Sequence, residues 1–208
     1  MYCILVTGIP AAGKSTMAEF LAERLELPVI SKDSLKELLY DTIGFCSREE
    51  KVKLGIAAMN TMYYLAEQLM KRKQAFILEN NFENISKEGL LSLLETYAYK
   101  AITVTLTGDY QKIYQRFLKR NDSPDRHRGH VVNDCYPEKV QNRHIPQISY
   151  EDFAGGIVNR GMDSFAANGP QIIVDTTDFT QIDREELLRQ IIDCREELLR
   201  QAGTCLWV

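Results

Sequence analysis

The segment that most restricts how this chain can fold is the junction between residues Cys3–Thr7 and Lys14–Leu25. CILVT is short, apolar, rich in β-branched residues and bounded by Gly8, the pattern of a strand buried on both faces. Lys14–Leu25 carries Met17, Phe20, Leu21 and Leu25 at spacings of three and four, which predicts an amphipathic helix. Between them, Gly8-Ile9-Pro10-Ala11-Ala12-Gly13-Lys14-Ser15 matches G-x-x-x-x-G-K-[ST], a phosphate-binding loop. Glycine permits the positive φ that a tight turn requires, so successive backbone N–H groups can curl around one anion. The helix that follows aims its N-terminus at the same place. Gly8, Ile9, Pro10, Ala11, Ala12, Gly13, Lys14, Ser15 and Thr16 are therefore candidate phosphate-binding residues. Lys14 is placed to reach the outer phosphates and the Ser15 hydroxyl to ligate Mg²⁺. A glycine turn that binds nothing is the weaker reading, because the strand before and the helix after are both present.

The same alternation continues downstream. Pro28–Ile30, Ala75–Leu78, Ala101–Leu106 and Ile172–Val174 read as further strands. Asp33–Ile43, Arg48–Lys71, Ser86–Tyr97, Asp109–Arg120 and Asp183–Arg200 read as helices. Ser34 with Glu37, and Ser47 with Glu50, have capping-box spacing. The last helix repeats REELLRQ at 184–190 and 195–201, an offset that keeps both copies on one face. Leu187, Leu188, Ile191, Leu198 and Leu199 are expected to pack there; a coiled-coil partner is the less favoured alternative. Residues 121–168, with three prolines and Gly155-Gly156, are expected to hold only short helical pieces, with a mobile segment at about 120–145 and an acceptor pocket lined by 131–168. Strands alternating with helices predict an α/β chain with a mostly parallel sheet covered on both faces, in one domain over 1–208.

Composition narrows the partners. A chain of 208 residues with 45% hydrophobic and 26% charged residues can bury a substantial core, and its net charge of −4 supplies no global attraction for nucleic acid. No apolar stretch reaches the ~18 residues of a membrane span. Strand-like residues begin at Tyr2, so no leader is expected. The five cysteines (Cys3, Cys46, Cys135, Cys194, Cys205) are odd in number and scattered, so reduced thiols and a cytoplasmic location are expected.

Charge is concentrated locally. Between residues 112 and 130, Lys112, Arg116, Lys119, Arg120, Arg126 and Arg128 face only Asp122 and Asp125. Lys112, Arg116, Lys119 and Arg120 recur along one helical face. A basic island in an acidic chain points to a local anionic ligand, and mobile arginines stabilise the charge spread over a phosphoryl group in transfer. Arg120 and Arg126 are the leading candidates, with Arg116 and Arg128 behind them. Asp33 stands where the second strand meets its helix, the edge that forms the ligand crevice of an open α/β sheet. There a carboxylate can accept a substrate hydroxyl proton, although a helix-capping role fits equally well. Lys36, one turn on, reads as solvated. Glu79 ends the third strand in LENN, beside Asn80 and Asn81, where an acid can join a Mg²⁺ shell. His127, His130, Cys135 and His144 match no structural-zinc spacing and read as polar contacts.

Taken in order, GIPAAGKST, SKDSL, LENN, RFLKRN with the Asp125-Arg126 pair, and IIVDTTD resemble the P-loop kinase family. Within it, they resemble the small ATPases that include polynucleotide 5′-hydroxyl kinases, chloramphenicol phosphotransferase and zeta-toxin kinases. The resemblance implies a three-layer P-loop NTPase sandwich: a five-stranded parallel sheet in the order 2-3-1-4-5, helices on both faces, and a lid. It implies ATP and Mg²⁺, with transfer of the γ-phosphoryl group to a hydroxyl of a small-molecule or nucleotide-like acceptor. Asp33 would be the base, Arg120 and Arg126 the lid arginines, and Asp175–Asp178, with Thr176, would lie near the adenine. Two departures stand out: Glu79 replaces the usual Asp, and Lys36 stands where polynucleotide kinases tend to carry Arg. The second makes a nucleic-acid end a poorer fit. The rival readings are a polynucleotide 5′-hydroxyl kinase, a toxin acting on a sugar nucleotide, and an ATP-binding switch that signals through its C-terminal helix.

Overall fold

The computed structural model describes residues 1–140 and 144–204. Five strands, β1 (Tyr2–Gly8), β2 (Val29–Ser31), β3 (Ile77–Glu79), β4 (Lys100–Thr107) and β5 (Gln171–Asp175), form one all-parallel sheet in the order β2-β3-β1-β4-β5. This is the P-loop NTPase kinase order that the sequence resemblance implied. Eight helices connect and flank the strands among the described residues: α1 (Lys14–Leu25), α2 (Lys32–Ile43), α3 (Arg48–Lys71), α4 (Asn84–Thr96), α5 (Tyr110–Asn121), α6 (Arg128–Val131), α7 (Tyr150–Arg160) and α8 (Arg184–Thr204).

The period of two along β1 divides the core into two layers. Ile4 and Val6 pack with Met17, Leu21, Ile113, Phe153, Ile157, Leu187 and Ile191, so α1, α5, α7 and α8 cover that face. Cys3 and Leu5 turn the other way, against Met62, Met70, Leu90 and Leu94 of α3 and α4. A third cluster of Tyr40, Phe45, Leu54 and Val132 fastens α2 and α3 to the chain beyond α6. Parallel register sets Ser31 beside Glu79, and Glu79 beside Val6, so β2 and β3 end level, two residues short of the Gly8 end of β1, and open onto one edge.

Several local expectations change. The cap of α2 is Ser31, whose Oγ accepts from the Ser34 N–H, because the helix begins one residue earlier than its apolar pattern. At α3, Ser47 Oγ accepts from the Glu50 N–H, and Glu50 Oε2 accepts from the Cys46 N–H, one residue before the expected box partner. The Gly155-Gly156 pair lies inside the 11-residue α7, which Ser149 caps and whose Phe153 and Ile157 are buried. Burial of an apolar face outweighs two unfavourable glycines. In α8, Leu187, Leu188 and Ile191 are buried and Leu198 packs on the core, but Leu199 stays 48% exposed. The expected packing of the apolar tail Cys205–Val208 lies outside the described residues.

Candidate functional site

The turn after β1 is shaped by two glycines. Gly8 has φ +126°, and a Cβ there would stand 1.9 Å from the Leu106 carbonyl oxygen of β4. Gly13 has φ +87° and caps α1. Both conformations exclude other residues at low cost. The loop encircles its own lysine, since Lys14 Nζ donates to the Ile9 carbonyl at 2.9 Å. Burial pulls the Lys14 ammonium down to about 8, against the neighbouring charges of Glu79 and Asp33.

Residues Pro10 through Thr16 form one wall of a cavity of about 740 Å³ at that edge of the sheet. Gly8 and Ile9 stand behind that wall, where they shape the turn and hold Lys14. The opposite wall comes from β2 and α2: Ser31, Asp33, Ser34, Lys36 and Glu37. Asp33 is hemmed in by the cleft, yet 51% of its side chain faces open space. Burial alone would raise its carboxyl. Lys36, His130, Lys14 and Arg126 instead hold it well below the ordinary carboxylate range. Lys36 Nζ lies 3.5 Å from Asp33 Oδ1 and is only 20% exposed, so it belongs to the wall and is not the solvated lysine expected.

Glu79 is 4% exposed and accepts from Ser31 Oγ at 2.5 Å, a contact set by the β2–β3 register. Burial pushes its carboxyl above the usual value, and Lys14 and Ser31 oppose that. Asn81 lines the cavity, whereas Asn80 is buried, its N–H bonded to the Val6 carbonyl. Ser15 and Glu79 therefore present hydroxyl and carboxylate oxygens to one cavity. A hard divalent cation such as Mg²⁺ takes such a donor set.

The basic island divides. Arg116, Arg120 and Arg126 line the cavity; Lys112 and Lys119 are exposed and do not line it. Arg128 makes a two-pronged ion pair with Glu138, Nε to Oε2 at 2.6 Å and Nη2 to Oε1 at 2.8 Å, and is not on the wall. Each of these three arginines keeps a buried nitrogen without a hydrogen bond: Arg116 Nη1, Arg120 Nε and Arg126 Nε. Burial also lowers Arg120 to about 10. Arg116, Arg120 and Arg126 thus bring three guanidinium groups to one cleft, which fits a polyanionic ligand.

Thr176 is not on the wall. It is fully buried, with its Oγ1 donating to the Thr107 carbonyl at 2.9 Å. What the DTTD stretch supplies is backbone: the Thr176 and Thr177 carbonyls accept from Arg116 Nη2. They hold that guanidinium 4.1 Å over the ring of Phe179, in the 3₁₀ turn Phe179–Gln181. Phe179 lines the cavity as well.

His130 also lines the cavity. Its Nε2 lies 2.8 Å from Glu37 Oε1, and burial drops the imidazole to about 3, so it is neutral near pH 7. His127 Nδ1 accepts from the Gly129 N–H at 3.1 Å, leaving Nε2 as the donor to Asp41 Oδ1 at 3.0 Å. From the expected acceptor segment 131–168, only Arg160 reaches the wall among the described residues. Sequence reasoning gave no role in the site to Ser31, Arg160, Phe179, Ile182 or Arg184, and to Glu37 only a capping role; all of them line it. Ser31 alone carried a signal, as the polar residue closing a strand just before Asp33.

Comparison with known proteins agrees with this architecture. A family profile described as an AAA domain matches residues 4–143. No match was found among curated proteins. Among solved structures, a kinase candidate from Chloroflexus aurantiacus J-10-fl is 28% identical, with 93% of this chain and 97% of that one covered at a TM-score of 0.76. A gluconokinase from Sinorhizobium meliloti 1021 shares the fold at 12% identity, covering 97% and 95% at a TM-score of 0.54. Shikimate kinase from Acinetobacter baumannii in complex with shikimate does so at 17% identity, covering 92% and 90% at 0.51.

Proposed function

The chain belongs to the AAA domain family and carries the P-loop kinase fold, and from that premise we propose that it transfers the γ-phosphoryl group of ATP to a hydroxyl of a small-molecule acceptor. The observation that carries this reading is the shared cavity. Lys14 and Ser15 stand on one wall, Asp33 on the other, and three arginines with unpaired buried nitrogens lie around them. The gluconokinase and shikimate kinase named above act in the same direction, since each is a kinase built on this sheet.

In this reading the loop N–H groups and Lys14 hold the outer phosphates, and Arg120 and Arg126 take up the charge of the moving phosphoryl group. Mg²⁺, held by Ser15 and by Glu79 directly or through water, would neutralise phosphate charge when bound. The acceptor oxygen attacks the γ-phosphorus, the bond to the ADP oxygen breaks, and the hydroxyl proton passes to Asp33. A carboxylate this acidic does not ionise an alcohol in the ground state. Its task is to accept the hydroxyl's hydrogen bond, orient the oxygen, and take the proton late in a loose transition state. Neutral His130, bonded to Glu37, leaves the acceptor side with donors and acceptors of both kinds, suited to a polar alcohol.

The test is ADP release from Mg·ATP against pooled acceptors: nucleosides, 5′-hydroxyl oligonucleotides, sugars, sugar nucleotides and phenicol- or aminoglycoside-type alcohols. One pool is expected to raise turnover well above the water-only rate, and a rise confined to oligonucleotides would select the polynucleotide kinase reading. Tight ATP binding with no stimulation by any pool would overturn the kinase in favour of a nucleotide-gated switch.

A further inference from the structure

Away from the cleft, the fold brings two cysteines together. Phe45, between α2 and α3, and Tyr136, beyond α6, form an isolated antiparallel bridge and exchange both backbone hydrogen bonds at 2.8 Å. One residue further along each segment, Cys46 faces Cys135. This is the non-hydrogen-bonded position of an antiparallel pair, where Cα atoms approach to about 4.5 Å. A disulfide spans Cα separations of about 4.4–6.8 Å. Burial and, after it, the neighbouring Cys46 thiol raise the Cys135 thiol, which donates to the Pro137 carbonyl at 3.4 Å. Both are free thiols, Cys46 exposed and Cys135 half-buried beside a small cavity of about 100 Å³ lined by Asp134, Glu138, Lys139 and Val140. Cys3, by contrast, is fully buried in the sheet.

We propose that Cys46 and Cys135 are a redox modification site, forming a reversible disulfide that ties the α2–α3 connection to the lid segment. The oxidant is a low-molecular-weight disulfide. Cys46, the more accessible thiol, loses its proton and attacks one sulfur of that reagent. The reagent's S–S bond breaks, and one small thiol leaves with the electron pair and takes up a proton. Cys135, deprotonated in turn, attacks the Cys46 sulfur; the protein disulfide forms and the second small thiol leaves. Two protein thiols are oxidised and one small disulfide is reduced to two thiols, so no further oxidant is required. An exposed bond of this kind is readily reduced again, which makes it a switch and not a permanent brace.

The bond would act where the lid segment meets α2. Four non-covalent ties already join them: His127 and the Tyr136 hydroxyl to Asp41, His130 to Glu37, and Gly129 packed on Tyr40. Lys51 of α3 adds donations to the His130 and Val132 carbonyls. These contacts can open and close. A covalent link between positions about 90 residues apart cannot, and it restricts the unfolded chain as well. In the kinase reading, which this consequence but not the bond itself rests upon, oxidation slows lid opening and hence turnover.

The experiment incubates the full chain with glutathione disulfide, then maps peptides by mass under non-reducing conditions. A Cys46–Cys135 linked peptide is expected, in a protein about 2 Da lighter. Dithiothreitol should reverse it, and the oxidised form should melt several degrees higher. Cys46→Ser and Cys135→Ser should each stop at a single mixed disulfide. Glutathione found separately on Cys46 and Cys135 of the wild type, never replaced by the link, would overturn the proposal; this readout needs no variant to fold. ADP release is followed in parallel and should fall severalfold on oxidation. A linked peptide in a protein that never released ADP would support the bond and count against the kinase.

Discussion

Three buried nitrogens, Arg116 Nη1, Arg120 Nε and Arg126 Nε, and one buried ammonium, Lys14, define what the cavity is built to receive. The nitrogens lack a hydrogen-bond partner, and Lys14 Nζ spends one of its donors on the Ile9 carbonyl. An anion bound in the cavity would meet four positive charges at once, and charges already partly desolvated interact more strongly than they do in bulk water. Lys14 gives this a pH signature. In the free protein burial lowers it from 10.5 to about 8, and a bound triphosphate would raise it again. Below about 8 the lysine is charged before and after binding. Above 8 binding must take up a proton, so ATP affinity should weaken as pH rises from 8 towards 9.5. Calorimetry in buffers of different ionisation enthalpy should show that uptake in the wild type and not in Lys14→Met. Affinity flat across this range, with no proton uptake, would contradict the assignment. Asp33 behaves oppositely: held below the ordinary carboxylate range, it stays ionised over any workable pH and contributes no acid limb between pH 5 and 7.

At the scale of elements, the junction between α2 and the chain around α6 decides where His130 and Arg126 stand. Gly129 is buried against Tyr40, and a Cβ there would lie 2.4 Å from Tyr40 Cδ2. Gly129→Ala must therefore push α6 off α2 or displace a fully buried ring. We expect a loss of about 1–3 kcal/mol. Read by thermal unfolding, that is a drop of several degrees for a chain of this size. An unchanged melting temperature would show that α6 is not docked on Tyr40. Elements with a strong repeat were legible in the sequence: α1 and α3 begin and end at the expected residues. The exceptions have physical causes. Serine at 31 and serine at 34 are both competent caps, and only the depth at which β2 ends decides between them. The length of α7 was hidden by its glycine pair, because burial of Phe153 and Ile157 is a tertiary gain that no local pattern displays.

For the whole molecule, regular alternation made the parallel sheet legible, whereas the strand order came only with the resemblance to P-loop kinases. The cavity was legible only where a motif crosses it: Lys14, Ser15, Asp33, Glu79, Arg120 and Arg126 all reach its wall. Arg160, Phe179, Ile182 and Arg184 arrive there from distant segments, and nothing in their neighbourhoods marks them. Thr176 and Arg128 misled for the converse reason. Each sits in a polar stretch beside the site, but one bonds to Thr107 and the other to Glu138. In the proposed reaction Asp33 meets the acceptor hydroxyl across the cavity from the phosphate loop. The measurement that addresses it directly compares wild type with Asp33→Asn, once an acceptor is in hand, for ATP affinity and acceptor-stimulated ADP release. Loss of the carboxylate should leave nucleotide affinity within a few-fold and cut stimulated turnover by about 10²–10⁴. An Asp33→Asn protein that still responds fully to the acceptor would contradict it.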